Sequence, residues 1–92
     1  MNAQIYMVPG QFSVEEASKF RDVTYAQLAE GIKLFEVDFS HCLFIDSTGL
    51  GVLVGLYKRC QEVGAQIVLK HLNKDVERVF KMTRLDHVFT IH

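Results

Sequence analysis

Phe44-Ile45-Asp46-Ser47-Thr48-Gly49-Leu50-Gly51-Val52-Leu53 is the stretch on which the reading of this chain turns. Cys42 to Ile45 is a short apolar run. Asp46-Ser47-Thr48-Gly49 is a turn rich in side-chain oxygen and ending in glycine. From Thr48 to about Val63 the residues suit a long helix, which Gly64 ends. An apolar run, an oxygen-bearing turn and a helix in direct succession make the strand–loop–helix step of an α/β fold.

The flanking sequence repeats that step. Gln4-Ile5-Tyr6-Met7-Val8 reads as a short strand closed by the turn signal Pro9-Gly10. Ser13 before Val14-Glu15-Glu16 reads as an N-cap with acids in the first turn, and the helix should run to about Glu30 and stop at Gly31. Ala17, Phe20, Thr24 and Leu28 form its apolar stripe. Lys33 to Phe39 alternates, with Phe35, Val37 and Phe39 on one side and Glu36 and Asp38 on the other, as a strand does. Gln66 to His71 is an apolar strand of the kind found inside a covered sheet. Asn73 can cap a third helix with Val76, Val79 and Phe80 on one side, and Leu85 to Ile91 reads as the last strand.

The order β-α-β-α-β-α-β predicts a single layered α/β domain over residues 1–92, with a mostly parallel four-stranded sheet and about three helices. In such sheets the functional crevice lies at the carboxyl ends of the strands, where Asp46-Ser47-Thr48-Gly49 falls. No repeat, low-complexity tract or linker interrupts the chain.

Composition narrows the function classes. With 49 % hydrophobic and 23 % charged residues, core burial can fold the chain. Ten basic against eleven acidic residues leave a net charge of -1, which supplies no basic field for nucleic acid. No Lys/Arg-rich amphipathic stretch addresses a membrane surface. Leu50 to Tyr57, the densest apolar run, is far short of the roughly 20 residues that span a bilayer. Met1 to Tyr6 carries neither a positive n-region nor a long apolar h-region, and Cys42 and Cys60 form no CxxC pair, so reduced thiols and a cytoplasmic location are expected.

Three properties coincide at Ser47. It stands at or next to a helix N-terminus, where free N–H groups and the macrodipole favour negative charge. Asp46 and Thr48 flank it with oxygen. Gly49 and Gly51 follow, and are expected to leave the backbone open to another molecule. Steps of three to four residues then carry one face from Ser47 through Gly51 and Gly55 to Lys58 or Arg59, a smooth strip suited to docking a protein. Leu50, Leu53, Val54 and Tyr57 should face the sheet. The alternative reading of Ser47 is an N-cap serine that only satisfies helix N–H groups.

Here the residues resemble a known family. Phe44 to Leu53 is similar to the signature of STAS-domain (sulfate transporter and anti-sigma factor antagonist) proteins, and the likeness continues through Tyr57-Lys58-Arg59, the Gly64 turn and Val79-Phe80-Lys81-Met82-Thr83-Arg84-Leu85. The resemblance implies that Ser47 is phosphorylated by an anti-sigma factor that is also a serine kinase. It further implies that the unphosphorylated form binds that kinase, so regulating sigma-factor-dependent transcription, and that a phosphatase resets the switch. Asp46, Thr48 and Gly49 would support the switch, and Gly51, Gly55, Lys58 and Arg59 would dock the partner. Other members serve non-sigma partner switches such as biofilm control, or are constitutive subunits of larger complexes such as those of lipid transport, and these are the alternative readings of this chain. Members usually begin with an extra strand and often finish with a further helix, and neither is expected within these 92 residues. Gln11-Phe12-Ser13 stands where an acid is usual after Gly10, and Arg84 where glycine is common. A left-handed backbone there would cost Arg84 about 1–2 kcal/mol.

Enzymatic readings fail on spacing. GxGxxG lacks its third glycine, because Val54 holds that position, and Lys70-His71 end the next strand without an acid. GxSxG fails at Ile45. His41, His71, His87 and His92 have no metal-ligand spacing among themselves or with Cys42 and Cys60. Surface or partly buried roles are the default for all six, while Phe35, Phe39, Phe44, Phe80 and Phe89 are expected in the core. A binding module without cofactor or metal, monomeric or weakly dimeric, is the sequence's reading.

Overall fold

The structure, a computed structural model, describes residues 3–92; Met1 and Asn2, part of the segment read for an export signal, lie outside the described residues. The elements run β1 (Ala3–Met7), β2 (Gln11–Phe12), α1 (Val14–Ala29), β3 (Leu34–Asp38), β4 (Phe44–Ile45), α2 (Ser47–Val63), β5 (Gln66–Lys70), α3 (Lys74–Met82), a 3-10 turn at Leu85–His87, and β6 (Thr90–Ile91). Four strands form a parallel sheet in the order β1-β3-β5-β6, and β2 pairs with β4 in a second, two-residue parallel ladder. The expected α/β domain with a four-stranded sheet and three helices is therefore present.

Each crossover steps the same way across the sheet, so right-handed connections place α1, α2 and α3 on one face. Alternation then sorts the strand residues. Phe35, Val37, Ile67 and Leu69 are buried toward the helices, and Tyr6 meets Phe20 of α1 edge-on at 4.7 Å. The opposite face carries exposed Ile5 and Met7 and half-buried Leu34, Glu36, Val68 and Lys70, with Lys70 Nζ 3.2 Å from Glu36 Oε1.

Edge-to-face rings tie the core together. Phe20 meets Phe12 at 5.3 Å, Phe12 meets Phe39 at 6.4 Å, Phe39 meets Phe80 at 6.1 Å, and Phe80 meets Phe89 at 6.0 Å. Tyr57 of α2 closes the series on Phe89 at 5.5 Å. Beyond the area they bury, such pairs contribute about 0.5–1.5 kcal/mol each. Thr24, polar and fully buried in the stripe of α1, donates its hydroxyl to Phe20 O at 2.7 Å and so is not stranded.

Several local expectations are corrected. Leu85 to Ile91 is not one strand: Arg84 takes a left-handed backbone (φ 61), and the chain coils through the 3-10 turn before Thr90 and Ile91 reach Val68 and Leu69. Phe44 is exposed rather than core, because pairing with β2 turns Ile45 inward and its neighbour outward. Cys42 and Cys60 are fully buried, and burial pushes the Cys60 thiol up to about 11. The buried stripe of α2 is Gly49, Leu53, Leu56 and Cys60, so Leu50, Val54 and Tyr57 only flank the core. Ser13 holds the N-cap position of α1 but donates to Glu16 Oε1 instead of accepting a backbone N–H.

Candidate functional site

The turn before α2 is held from both sides. Gly10 O accepts from Leu43 N (2.8 Å) and Phe44 N (3.2 Å), which fixes β4 beside β2. Asn73 Nδ2 donates to Cys42 O at 2.7 Å, while Asn73 Oδ1 caps α3 by accepting from Val76 N at 2.8 Å. One asparagine thereby joins the start of α3 to the loop that leads into the site.

Asp46 is extended (φ -108, ψ -175), and its Oδ1 accepts from Gly49 N at 3.0 Å, the geometry of an N-cap. Its carbonyl accepts from Leu50 N at 3.0 Å. Ser47 is thus the first residue of the helix, one earlier than its sequence suggests. The capping role that a serine could have filled belongs to Asp46. The Ser47 hydroxyl makes no side-chain hydrogen bond among the described residues, and both Ser47 and Thr48 are exposed. The site is therefore an exposed hydroxyl at the positive end of a 17-residue helix, beside one carboxylate that is already engaged.

The glycines that follow serve different ends. Gly49 is buried, and a Cβ on it would press into Phe12 O and come within 2.9 Å of Phe12 Cδ2 and 3.0 Å of Ile45 Cγ1. The backbone approach at Gly49 is made by β2 of the same chain, which corrects the expected opening to another molecule. Gly51 is exposed, with nothing within 4 Å of the same imagined atom. At Gly55 the neighbour is Tyr25 Oη, 2.9 Å away, and the Arg59 guanidinium lies 4.7 Å from the centre of the same ring. Ser47, Gly51, Lys58 and Arg59 are accordingly exposed, Arg59 with its guanidinium over the Tyr25 ring of α1, while Gly55 is half-buried against Tyr25.

Sequence reading missed the apolar surface next to this turn. Leu43 is 77 % and Phe44 51 % exposed, and with Ile45, Asp75, Val76 and Val79 they line a hollow of about 130 Å³. Once the β2–β4 register is known, period-2 alternation identifies Phe44 as outward-facing. A larger cleft of about 420 Å³ lies at the other end of α2, lined by Tyr57, Cys60, Gln61, Ile67 and Thr90 among others.

All four histidines are exposed, and no group of three or more His, Cys, Asp or Glu among the described residues is placed to hold a metal. His71 Nδ1 lies 3.0 Å from Asp38 Oδ2. Hydrogen bonds from Ser40 first, and the His71 ring after them, hold the Asp38 carboxyl down at about 2. No helix among the described residues is long and apolar enough to cross a membrane.

Known proteins share this fold. The STAS domain family model matches residues 2–92. The anti-sigma-B factor antagonist of Listeria monocytogenes is 33% identical over 85 residues, covering 91% of this chain and 74% of that protein. Among solved structures, TM1081 of Thermotoga maritima is 30% identical with a TM-score of 0.90, over 98% of this chain and 78% of that one. The Bacillus cell fate determinant SpoIIAA in its phosphorylated form shares the fold, with a TM-score of 0.79 at 16% identity, over 99% of this chain and 83% of that one.

Proposed function

The chain belongs to the STAS-domain family, and we propose that within it the protein is a phosphorylation-switched binding module of the anti-sigma factor antagonist type. The observation that carries this reading is the Ser47 hydroxyl: exposed, first in α2 and without a side-chain hydrogen bond among the described residues, with the capping work done by Asp46. A kinase can reach such a hydroxyl without opening the fold.

In the unphosphorylated state the surface around Ser47, Gly51 and Lys58 docks an anti-sigma factor that is also the serine kinase. Phosphorylation adds about −1.5 to −2 charges. The helix N-terminus tolerates them, so the fold persists and the effect falls on whatever docks there. A hundredfold loss of affinity needs about 2.7 kcal/mol. One unpaired acidic group of the partner about 4 Å from the phosphate would supply that at an effective dielectric near 20. The carboxylate of Asp46, hydrogen-bonded to Gly49 N, adds a like charge beside the phosphate. Removal of the phosphate by a phosphatase restores binding, and the circuit operates in the cytoplasm.

Intact-mass spectrometry with site mapping, on protein purified from its own cells, tests the proposal. Partial phosphate addition at Ser47 is the expected result. The isolated kinase should then bind Ser47→Ala constitutively and fail to bind Ser47→Asp. A chain left unmodified under every growth condition, or equal binding of both variants, overturns the switch.

A further inference from the structure

β1 forms one edge of the four-stranded sheet: it pairs with β3 and with no other described strand. The register shows which backbone groups remain over. Met7 stands opposite Asp38, and Asp38 O accepts from Val8 N at 2.9 Å. In a parallel ladder the residue so bracketed directs its own N–H and C=O away from the neighbouring strand. Ala3, Ile5 and Met7 therefore present theirs to the open edge, while Gln4 and Tyr6 bond β3. Side-chain exposure alternates in the same phase, with Ile5 64 % and Met7 47 % exposed.

Sheet proteins blunt such an edge with lysine, proline, a bulge or a covering element. Ala3-Gln4-Ile5-Tyr6-Met7 contains no lysine, no proline and no charge. Its ladder with β3 runs through all five residues without a bulge.

We infer that β1 pairs with β1 of a second copy of this chain, antiparallel about a twofold axis at Ile5. That register sets Ile5 against the partner's Ile5 and Ala3 against the partner's Met7. Every outward N–H and C=O of the three residues then finds a partner, in the hydrogen-bonded type of antiparallel pair. The strand is self-complementary in charge as well, because an uncharged segment meets itself without like-charge repulsion. On the open face Ile5 and Met7 gain apolar cross-strand neighbours. The contact is narrow, below the roughly 1,200 Å² of stable interfaces, so the dimer is reversible and concentration-dependent.

Sedimentation equilibrium over a concentration series reaching about 1 mM tests this. The wild-type mass should rise from 10.5 kDa toward twice that value. Ile5→Lys sets like charges across the axis, and Ile5→Glu does the same; each should stay monomeric, and an equimolar mixture of the two should dimerise. A wild-type protein that stays monomeric throughout overturns the inference, as does an Ile5→Lys variant that dimerises like wild type. Should the variants fail to fold, amide exchange of the wild type decides. Protection of the Ile5 and Met7 amides that grows with concentration supports the edge pairing, and concentration-independent exchange refutes it. None of these readouts depends on phosphorylation at Ser47.

Discussion

Gly49→Ala is expected to destabilise the domain by about 1–2 kcal/mol, while Gly51→Ala, on the opposite side of the same helical turn, is expected to stabilise it by about 1 kcal/mol. Both replacements gain the same helix propensity, about 1 kcal/mol for alanine over glycine. They differ in what the new methyl meets. At Gly51 it meets open space. At Gly49 it meets the carbonyl oxygen of Phe12, the Phe12 ring at 2.9 Å and Ile45 at 3.0 Å. Backbone cannot rotate aside, and β2 cannot retreat freely, because Phe12 is wedged between Phe20 and Phe39 and its carbonyl also faces Asp46 N at 3.5 Å. The cost should therefore fall in the upper part of the 1–3 kcal/mol range for overpacking, and propensity returns about 1 of it. At Gly55 the neighbour is the far end of Tyr25, which can move, so Gly55→Ala should lie between the two. Urea titration followed by circular dichroism, with unchanged m-values, would measure all three. In a domain of this size each kcal/mol also moves the melting temperature by roughly 4–8 °C. If Gly49→Ala proves as stable as Gly51→Ala, then β2 does not press on the start of α2, and the account of how Ser47 is positioned fails.

Three further outcomes follow from the same structure. Arg84→Gly should raise stability by about 0.5–1 kcal/mol in thermal unfolding, since relief of the left-handed backbone (φ 61) outweighs the entropy glycine adds to the unfolded chain. Asp46→Ala should cost about 1 kcal/mol by denaturant titration through loss of the α2 cap, with Asp46→Asn retaining most of it. Asp38 titrates at about 2 in the fold against an ordinary 3.8, so its stabilising contribution is complete above 3.8 and is lost as pH falls toward 2. The stability gap between wild type and Asp38→Asn should accordingly narrow across that window, and a gap constant from pH 5 to about 2 would contradict the pairing with Ser40 and His71.

Local chemistry determined much of this protein. Alternation over Lys33 to Phe39, the Asn73 cap, the glycine that ends α2 in a left-handed turn (Gly64, φ 74) and the strand–turn–helix step around Ser47 each depend on residues a few positions apart, and each appears in the fold. What lay beyond the sequence was decided by distant partners. Asp46 and Ser47 are adjacent and both suit a helix cap, and the cap went to Asp46, whose amide faces Phe12 of β2. Gly49 and Gly51 look alike as letters, yet one is buried beneath β2 and the other lies open, because only the folded chain brings Phe12 to that spot. Phe44 has the composition of a core residue, and it faces solvent because a two-residue ladder sets its phase. The periodicities of helix and strand are local and can be read along the chain. Which side of a helix or strand is covered depends on long-range packing, and that arises only when the chain has folded.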